Sequence, residues 1–567
     1  MDRPWLRFYD AGVPPTLEYP ASSVPEFLRI SAQRFPNQVA TIFLGARLTY
    51  RQLKAQVDSL AGELHRMGVR QGDRVAIMLP NCPQTVIAYY ATLSLGAVAV
   101  LTNPLYVERE LEHQWGDAGV ETAFVLDLLW PRVEGLRRKL PLKRTIVTGV
   151  QDYLPFPKNL LFPLQARRQG TPAGVPSADG IFRFKHLVRN RATRSGPPAV
   201  DLSPDDLACL QYTGGTTGLP KGAMLTHRNL VASVTQIRAF LLQGHVDAED
   251  RAIAILPIFH VYGMNGVMNL GVHLAATLIL LPRLDIKMLV EAIRRHRPTF
   301  FLGVPSLYVA VNSYPGIDQV DLSSIKMCFS GAAPLPQDVI EAFEARTGAR
   351  IAEAYGMTEA SSLTHVNPRR GLRKFGSVGV PIMDTDARIV DADAERTTQE
   401  LPPGQEGELL VKGPQVMAGY WQHPEETAAV LRDGWLRTGD IATMDEDGYF
   451  YIVDRKKDMI LTAGFNVYPR EVEEILYQHP KVLEAAVIGL PDKLRGEKVT
   501  AYVVLKPGET ATAQEIRAFC RERLAHYKEP RAVHFRDELP KSMAGKVLRR
   551  VLKEEELARS QGDKLPQ

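Results

Sequence analysis

The eleven residues Tyr212-Thr-Gly-Gly-Thr-Thr-Gly-Leu-Pro-Lys-Gly222 combine a high density of glycine with hydroxyl groups and one cation. Glycine lets consecutive backbone N–H groups turn into one concavity, and no side chain blocks an oxyanion from entering it. The threonine hydroxyls and the lysine ammonium add hydrogen-bond donors to the same volume. The stretch therefore predicts a polyphosphate-binding loop, whose candidate ligands are Thr213, Gly214, Gly215, Thr216, Thr217, Gly218 and Lys221.

The sequence on either side of this phosphate loop (residues 213–221) predicts regular structure. Residues 206–212 have the pattern of a buried strand, and Thr226 is a suitable N-cap for a helix that continues to Ile237. The spacing differs from Gly-x4-Gly-Lys-Ser/Thr, because Leu219 and Pro220 follow Gly218. A plain strand-to-helix connector is the alternative, although few such turns need so many donors.

Composition restricts the class of protein. The 567 residues are 45% hydrophobic and 23% charged, which is typical of a soluble globular chain. A net charge of +4 is small for this length and does not indicate nucleic-acid binding. The four cysteines are scattered, which fits a reducing cytosol. The uncharged residues 252–282 are interrupted by proline, glycine and polar side chains, so we expect buried strand, loop and helix there and no membrane span.

Alternating helical and strand patterns run through much of the chain and predict an α/β fold with a largely parallel sheet. Residues 156–204 interrupt the alternation and are rich in proline, glycine and basic residues, which predicts a surface insertion. After the phosphate loop, four predicted strands end in glycine or polar residues, at His260, Gly303, Ser330-Gly331 and Gly356. Ligands bind at the carboxyl ends of parallel strands, so we expect these residues at one edge of a sheet.

From Ser377 onward the pattern changes to shorter β segments, and residues 454–458 form a polar stretch that suits a hinge. The predicted architecture is α/β, with a large N-terminal domain of layered, parallel-rich sheets and helices and a β-rich subdomain. A small, mobile α+β domain follows it. The expected bounds are 1–454 for the large domain, 455–458 for the hinge and 459–567 for the small domain.

The phosphate loop, together with Lys221-Gly-Ala-Met-Leu-Thr-His-Arg-Asn229, resembles the phosphate-binding motif of the adenylate-forming superfamily. It is most similar to bacterial long-chain fatty acid–CoA ligases. The block from Asp433-Gly-Trp-Leu-Arg-Thr-Gly-Asp440 to Asp454-Arg-Lys-Lys-Asp458 resembles the fatty acyl-CoA synthetase motif. The resemblance covers nearly the whole chain and implies activation of a carboxylic acid by Mg-ATP, followed by transfer to CoA.

The resemblance also implies roles for individual residues. Glu359, with Thr216, would bind Mg²⁺, which prefers one or two carboxylates plus phosphate oxygens. The nucleotide would further contact Tyr355 and Gly331, Ala332 and Ala333 at adenine, Asp440 and Arg455 at the ribose, and also Gly356 and Thr358. Lys546 would be the catalytic lysine, Lys457 the hinge pivot, and Gly464 and Phe465 the path of CoA. His260 would lie near the acyl carboxylate or the thiol.

Each of these residues also has an ordinary structural interpretation. Glu359 could belong to a helix N-terminus, Asp440 to an Asx turn, Lys546 to a basic tail and His260 to a hydrogen-bonded core. The predicted reaction converts fatty acid, ATP and CoA to acyl-CoA, AMP and pyrophosphate. The alternatives are an aryl-acid or other CoA ligase, a ligase that loads a carrier protein, and a catalytically silent nucleotide-binding or acyl-binding module.

The predicted partners are therefore small molecules, without nucleic acid, and the predicted location is cytoplasmic. The apolar residues 154–164 precede the basic insertion, a combination that suits peripheral contact with the inner face of an anionic membrane. A solvated loop is the competing interpretation of this segment. A homodimer is compatible with the sequence.

Overall fold

The computed structural model describes residues 3–162, 175–190, 196–213, 220–392, 399–456, 458–462, 465–492, 495–542 and 547–562. The chain separates into two compact units. The large unit consists of Leu6–Thr385 and Lys412–Gly434, and the small unit of Met1–Trp5, Asp386–Val411 and Trp435–Gln567.

Seven described strands of the large unit form one sheet, and the two strands on either side of the phosphate loop are its last pair. The seven strands are parallel except for this last pair, which is antiparallel. Trp115, Val125 and Leu210 are among the buried residues that pack on this sheet. In spatial order the strands are Ile181–Arg183, Arg144–Thr148, Thr122–Leu126, Arg74–Met78, Val98–Leu101, Leu207–Thr213 and Lys221–Thr226.

Nine strands of the large unit form a second sheet, with a parallel centre and antiparallel edges. The four strands that the sequence predicts to end in glycine or polar residues are direct neighbours in it, so that prediction is confirmed. In spatial order the strands are Val380–Pro381, His365–Val366, Ile351–Tyr355, Met327–Ser330, Phe300–Gly303, Arg251–Ala254, Thr277–Leu280, Val39–Phe43 and Ala46–Thr49.

The helix His227–Leu241 begins at Thr226, the N-cap that the sequence predicts. The Thr226 hydroxyl accepts from Asn229 N, and the Asn229 side chain accepts in return from Thr226 N. The α-helices are Pro25–Arg34, Tyr50–Arg66, Pro83–Ser94, Glu108–Ala118, Trp130–Glu134, Leu136–Lys139, Phe184–Leu187, His227–Leu241, Leu270–His273, Ile286–His296, Pro305–Asn312, Gln337–Thr347 and Pro424–Val430. Shorter elements are the 3₁₀ turns Asp127–Leu129, Val150–Tyr153, Ile317–Gln319 and Thr358–Ala360, the π-helix Tyr262–Asn269 and the strand Leu431–Arg432.

Within its described residues, the small unit contains two antiparallel-rich sheets and three α-helices. The first sheet includes Asp386–Val390, Gly407–Lys412, Trp435–Met444 and Phe450–Arg455. The second consists of Phe465–Val467, Ile460–Thr462, Gly496–Leu505, Val482–Asp492 and Ala532–Phe535. Val472, Val487 and Ile516 lie in the core that joins the second sheet to its helices. The helices are Pro469–Tyr477, Ala513–Arg521 and Arg549–Gly562.

The α/β class is confirmed, with two corrections to the predicted local structure. The strand Lys221–Thr226, which the sequence did not predict, pairs with Leu207–Thr213 as a hairpin and precedes the predicted helix. The expected surface insertion, residues 156–204, is partly integral to the fold. Its strand Ile181–Arg183 extends the seven-stranded sheet, and Phe184 is buried against Phe124. The strand Ile181–Arg183 depends on pairing with residues 145–147, which lie well before it in the chain.

Compactness groups residues 386–411 and 435–454 with the C-terminal part of the chain, whereas the sequence interpretation assigned them to the large domain. The predicted hinge separates segments that move relative to each other, whereas the division into compact units separates segments that pack together. The two boundaries therefore describe different properties and need not coincide. The hinge at 455–458 stays a prediction. Within the described residues, no helix is long and apolar enough to cross a membrane. The uncharged stretch 252–282 instead forms buried strands and the π-helix, as expected.

Buried histidines make the large unit sensitive to acid. Burial lowers the pKa of His227 to about 4, and it likewise lowers the pKa of His273 to about 4 and of His365 to about 3. His227 is held neutral at the start of its helix, where Val24 N donates to its Nδ1 at 3.2 Å. Because the unfolded-state pKa is about 6.5, the unfolded chain binds more protons between pH 6.5 and 4. Stability is therefore fully present above pH 6.5 and is lost as the pH falls towards 4.

Replacing His227 with Asn, which keeps an acceptor for Val24 N but cannot be protonated, should weaken this pH dependence. The expected contribution of His227 to the loss of stability between pH 7.5 and pH 5 is about 2 kcal/mol. Urea unfolding at the two pH values measures it. The matched control is His186→Asn, because His186 is exposed. Equal pH dependence in wild type and His227→Asn would contradict the prediction.

Candidate active site

The two described ends of the phosphate loop lie side by side in the hairpin. Thr213 is the register partner of Lys221, and Tyr212 is the partner of Gly222. A Cβ atom at Gly222 would come within 3.2 Å of the Tyr212 ring, which explains the glycine at this close approach. The predicted ligands Gly214, Gly215, Thr216, Thr217 and Gly218 lie outside the described residues. The loop therefore opens between two paired strand ends, with Lys221 at one of them.

A segment remote in sequence extends this hairpin. Met224 N donates to Gly419 O at 2.8 Å, Ala418 N donates to Met224 O at 3.0 Å, and Trp421 N donates to Gly222 O at 2.8 Å. This backbone pairing brings residues 418–421 alongside the strand Lys221–Thr226. As a result, the Lys221 Nζ lies 5.7 Å from the centroid of the Tyr420 ring and 3.3 Å from Glu426 Oε1.

Tyr420 also reaches the candidate magnesium ligand. Glu359 lies in the 3₁₀ turn Thr358–Ala360, directly after the strand Ile351–Tyr355, and is almost completely buried. The Tyr420 hydroxyl donates to Glu359 Oε1 at 2.9 Å, and Met417 N donates to the Glu359 carbonyl at 2.8 Å. Burial, and next the Glu359 charge, raise the pKa of Tyr420, which keeps it a donor. One tyrosine thus connects the lysine of the phosphate loop with Glu359.

This donor set suits a metal that arrives with a nucleotide. The described residues contain no group of three or more histidine, cysteine, aspartate or glutamate side chains that could hold a metal ion by themselves. Mg²⁺ commonly uses one or two protein carboxylates and completes its shell with phosphate oxygens and water. Glu359, beside the phosphate loop, matches that requirement. Thr216, the second predicted ligand, lies outside the described residues.

The predicted adenine contacts lie at the ends of two adjacent parallel strands, Met327–Ser330 and Ile351–Tyr355. Gly331 N donates to Gly303 O at 3.3 Å, and the following Ala332 adopts a left-handed backbone with a φ of 71°. Ala332 and Ala333 are exposed, and Tyr355 is half-buried. A Cβ atom at Gly356 would overlap Ser362 O at 1.4 Å, so that position accepts only glycine. The structure brings the predicted nucleotide contacts Gly331, Ala332, Ala333, Tyr355, Gly356 and Thr358 to one sheet edge.

His260 follows a strand of the same sheet and is half-buried. Its Nδ1 accepts from Tyr262 N at 3.2 Å, and its own N donates to Pro257 O at 3.0 Å, so local backbone orients the ring. Tyr262, which the sequence interpretation passed over, extends its hydroxyl to within 3.4 Å of Gly303 O and Phe329 O. Both carbonyls belong to strand ends of the candidate site.

In the small unit, the two predicted ribose contacts face each other. Asp440 and Arg455 are register partners on neighbouring antiparallel strands, and Arg455 Nε lies 3.3 Å from Asp440 Oδ1. Asp440 N donates to Thr438 Oγ1 at 3.1 Å. Phe465 begins the strand Phe465–Val467. The predicted hinge residue Lys457, the CoA-path residue Gly464 and the catalytic candidate Lys546 lie outside the described residues.

Sequence reasoning missed Tyr420 and Glu426. Neither lies near the phosphate loop in sequence, and no glycine-rich or strand-end pattern marks them. The only local signal was the pair of turn residues Gly419 and Pro424, which bracket them. Their positions follow from long-range backbone pairing, which a single sequence does not display.

Parallel strand ends that carry Gly331–Ala333 and Tyr355, beside the carboxylate of Glu359 and the hairpin that holds Lys221, suit a nucleotide-binding protein. The family model for AMP-binding enzymes matches residues 28–421, and the model for their C-terminal domain matches residues 471–546. The chain belongs to the AMP-binding enzyme family.

The similar proteins include CoA ligases of two kinds. The chain is 47% identical to a long-chain-fatty-acid–CoA ligase of Bacillus subtilis over 555 residues, which cover 98% of each chain. It is 39% identical to the Escherichia coli O6:H1 enzyme of the same name over 562 residues, again 98% of each chain. An anthranilate CoA ligase solved with anthranoyl-AMP has a TM-score of 0.83 at 28% identity, covering 95% of this chain and 99% of that one.

Replacing Tyr420 with Phe should weaken the binding of Mg-ATP, because the Glu359 carboxylate loses its hydroxyl donor while the ring near Lys221 is kept. A hydrogen bond to a charged group contributes about 1.5–3 kcal/mol, so the Kd should rise about tenfold or more. Titration calorimetry measures it. The matched control is Tyr9→Phe, which removes a hydroxyl that donates to Pro381 O elsewhere in the large unit. A Kd that changes equally in both variants would refute a role for Tyr420 at Glu359.

Proposed function

We propose that this protein is an ATP-dependent fatty acid–CoA ligase, which converts fatty acid, ATP and CoA to acyl-CoA, AMP and pyrophosphate. The observation that carries the proposal is the connection of Lys221 to Glu359 through Tyr420, next to an edge that offers Gly331–Ala333 and Tyr355 to a base. That arrangement suits a nucleoside triphosphate. The full-length similarity to long-chain-fatty-acid–CoA ligases supports the acid and the thiol.

In the first half-reaction, a carboxylate oxygen of the fatty acid attacks the α-phosphorus of ATP, and the bond to pyrophosphate breaks. Both reactants are anionic, so the enzyme contributes mainly by positioning and charge neutralisation. The phosphate loop, from Thr213 to Lys221, holds the phosphates, and Glu359 with Thr216 would hold Mg²⁺, which neutralises phosphate charge when bound. Asp440 accepts from the ribose hydroxyls with Arg455 beside it, and Lys546 supplies an ammonium between the reacting oxygens.

In the second half-reaction, the CoA thiol attacks the acyl carbonyl carbon of the adenylate, and AMP leaves. Gly464 and Phe465 line the path of the pantetheine arm, and His260 orients the carboxyl group or the thiol. Lys546 and Gly464 belong to the same predicted small domain, residues 459–567. They serve different half-reactions, which a rotation of that domain about Lys457 accommodates.

The acyl chain is accommodated by the uncharged stretch 252–282, whose strands and π-helix are almost entirely buried. A methylene-rich chain gains free energy in such surroundings in proportion to the area it buries. The similarity to an anthranilate CoA ligase makes an aryl acid the second candidate substrate. The two candidates differ in how the rate depends on chain length.

The rate of pyrophosphate release over a series of saturated acids from C8 to C18 separates these candidates. For a fatty acid ligase, kcat/KM should rise about fourfold for each added methylene until the pocket is full, since one buried methylene contributes about 0.8 kcal/mol. Benzoate and cinnamate serve as aryl comparisons in the same assay. If either aryl acid exceeded every fatty acid, the substrate would be aromatic.

We further propose that the protein contacts the anionic inner face of the cytoplasmic membrane through residues 154–162. Phe156, Leu160 and Leu161 are 79%, 62% and 57% exposed, an unusual density of exposed apolar side chains for one short segment. The segment follows Tyr153, whose ring contacts Phe184 and whose hydroxyl donates to Gln56. It is therefore attached to the same surface as the helix Phe184–Leu187.

That surface carries positive charge. A cavity of about 530 Å³ beside it is lined by Lys185, His186, Arg189 and Arg66, with Glu63, Leu187 and Asn190. Glu63 is paired with Arg66 and accepts from Asn190. Lys185 and Arg189 have no ion pair with a carboxylate within the described part of the chain. Apolar side chains next to unneutralised cations favour an anionic lipid surface.

Sedimentation with vesicles tests this contact. Wild-type protein should sediment with phosphatidylglycerol vesicles at low salt and much less at high salt, and Leu160→Asp with Leu161→Asp should remove the binding. The control is Leu284→Asp, a comparably exposed leucine elsewhere in the large unit. Wild-type protein that stays in the supernatant with and without vesicles would end the membrane proposal, while the ligase proposal would stand.

A further inference from the structure

The lysine of the phosphate loop is already occupied by a carboxylate of the protein. Lys221 Nζ lies 3.3 Å from Glu426 Oε1, in the helix Pro424–Val430. A hydrogen bond from the backbone N–H of Glu426 to its own carboxylate and, next, the hydrogen bond from Lys221 lower the pKa of Glu426. The side chains are 32% and 41% exposed, so that water and solutes reach both of them.

Glu426 is held in this position by a set of contacts that reaches the other end of the phosphate loop. Its Oε1 lies 3.2 Å from His423 Nδ1, and His423 Nε2 lies 3.7 Å from Asp117 Oδ1. The Asp117 carboxylate in turn accepts from the Tyr212 hydroxyl. Because Tyr212 lies on the first strand of the hairpin and Lys221 begins the second, these side chains connect both strands through Glu426.

The same backbone pairing fixes the segment that carries Glu426. Trp421 N donates to Gly222 O at 2.8 Å, and Trp421 Nε1 donates to the Asp117 carbonyl at 3.2 Å. The His423 carbonyl accepts from the Thr427 hydroxyl at 2.7 Å, within the helix that carries Glu426. The fold therefore places Glu426 opposite Lys221, because the backbone that carries Glu426 is fixed by these contacts.

We propose that Glu426 is an internal competitor for Lys221, which nucleotide phosphates must displace before the lysine can bind them. This inference rests on the proposed function of the phosphate loop. A carboxylate carries one negative charge, whereas a triphosphate offers several and is held by the rest of the loop. Glu426 thereby lowers the affinity of the site for every anion. It excludes singly charged anions most effectively, because they gain the least electrostatic free energy when they replace Glu426 at Lys221.

Replacing Glu426 with Gln keeps the shape of the side chain and removes its charge. The Kd of Mg-ATP and of pyrophosphate, measured by titration calorimetry at low salt, should fall by about twofold to fivefold, the range expected for a solvent-exposed ion pair. The control is Glu425→Gln, which removes the same charge from the preceding, exposed position of the helix. Glu425→Gln should lower the Kd by less than Glu426→Gln does. Raising the salt concentration should reduce the difference in Kd between the two variants.

A second pair of variants tests whether Lys221 carries the effect. In a Lys221→Ala background, the change from Glu426 to Gln should no longer tighten nucleotide binding, because the lysine for which Glu426 and the phosphates compete is absent. Equal effects of Glu426→Gln and Glu425→Gln, or weaker binding by Glu426→Gln, would overturn the inference. Failure of the wild-type protein to bind Mg-ATP at all would instead overturn the proposed function, so the two failures are distinguishable.

Discussion

The backbone pairing of residues 418–421 with the strand Lys221–Thr226 is the contact on which the nucleotide site of the large unit depends. It places Tyr420 between Lys221 and Glu359, and it starts the helix that brings Glu426 to Lys221. Without it, the phosphate loop would be an isolated hairpin, and the magnesium-type carboxylate would have no described connection to it. Three backbone hydrogen bonds therefore combine elements that lie about two hundred residues apart in the chain.

Charge in this site is balanced within the protein. In the large unit, Glu359 accepts from the neutral hydroxyl of Tyr420, and Lys221 is paired with Glu426. In the small unit, taken by itself, Asp440 is paired with Arg455. A site that binds a highly charged nucleotide must remain stable when the nucleotide is absent. Ion pairs that solvent can reach provide that stability and are weak enough to exchange for substrate.

Much of this architecture could be predicted from the sequence, because the relevant patterns are local. The alternation of helical and strand patterns of hydrophobic residues indicated an α/β fold with a parallel sheet, and Thr226 indicated the start of a helix. The strand ends at Gly303, Ser330 and Tyr355 were correctly expected at one edge, since parallel strands share their direction. The edge strand Ile181–Arg183 was missed because it pairs with residues 145–147, which lie well before it in the chain. The strand Lys221–Thr226 was missed although its hairpin partner directly precedes the loop, and its other neighbour, residues 418–421, is remote in sequence.

The sequence by itself determined the chemistry of the candidate site. Glycines and hydroxyls around Lys221, a carboxylate at Glu359 and Asp440 beside a turn are residue types whose donors, acceptors and charges are intrinsic to them. Only the tertiary structure decided which of these groups meet. The contacts Tyr420–Glu359 and Lys221–Glu426 join positions that are 61 residues apart in the first case and far more in the second. Such contacts arise from strand register and packing, which depend on the whole chain and leave no periodic pattern in either segment.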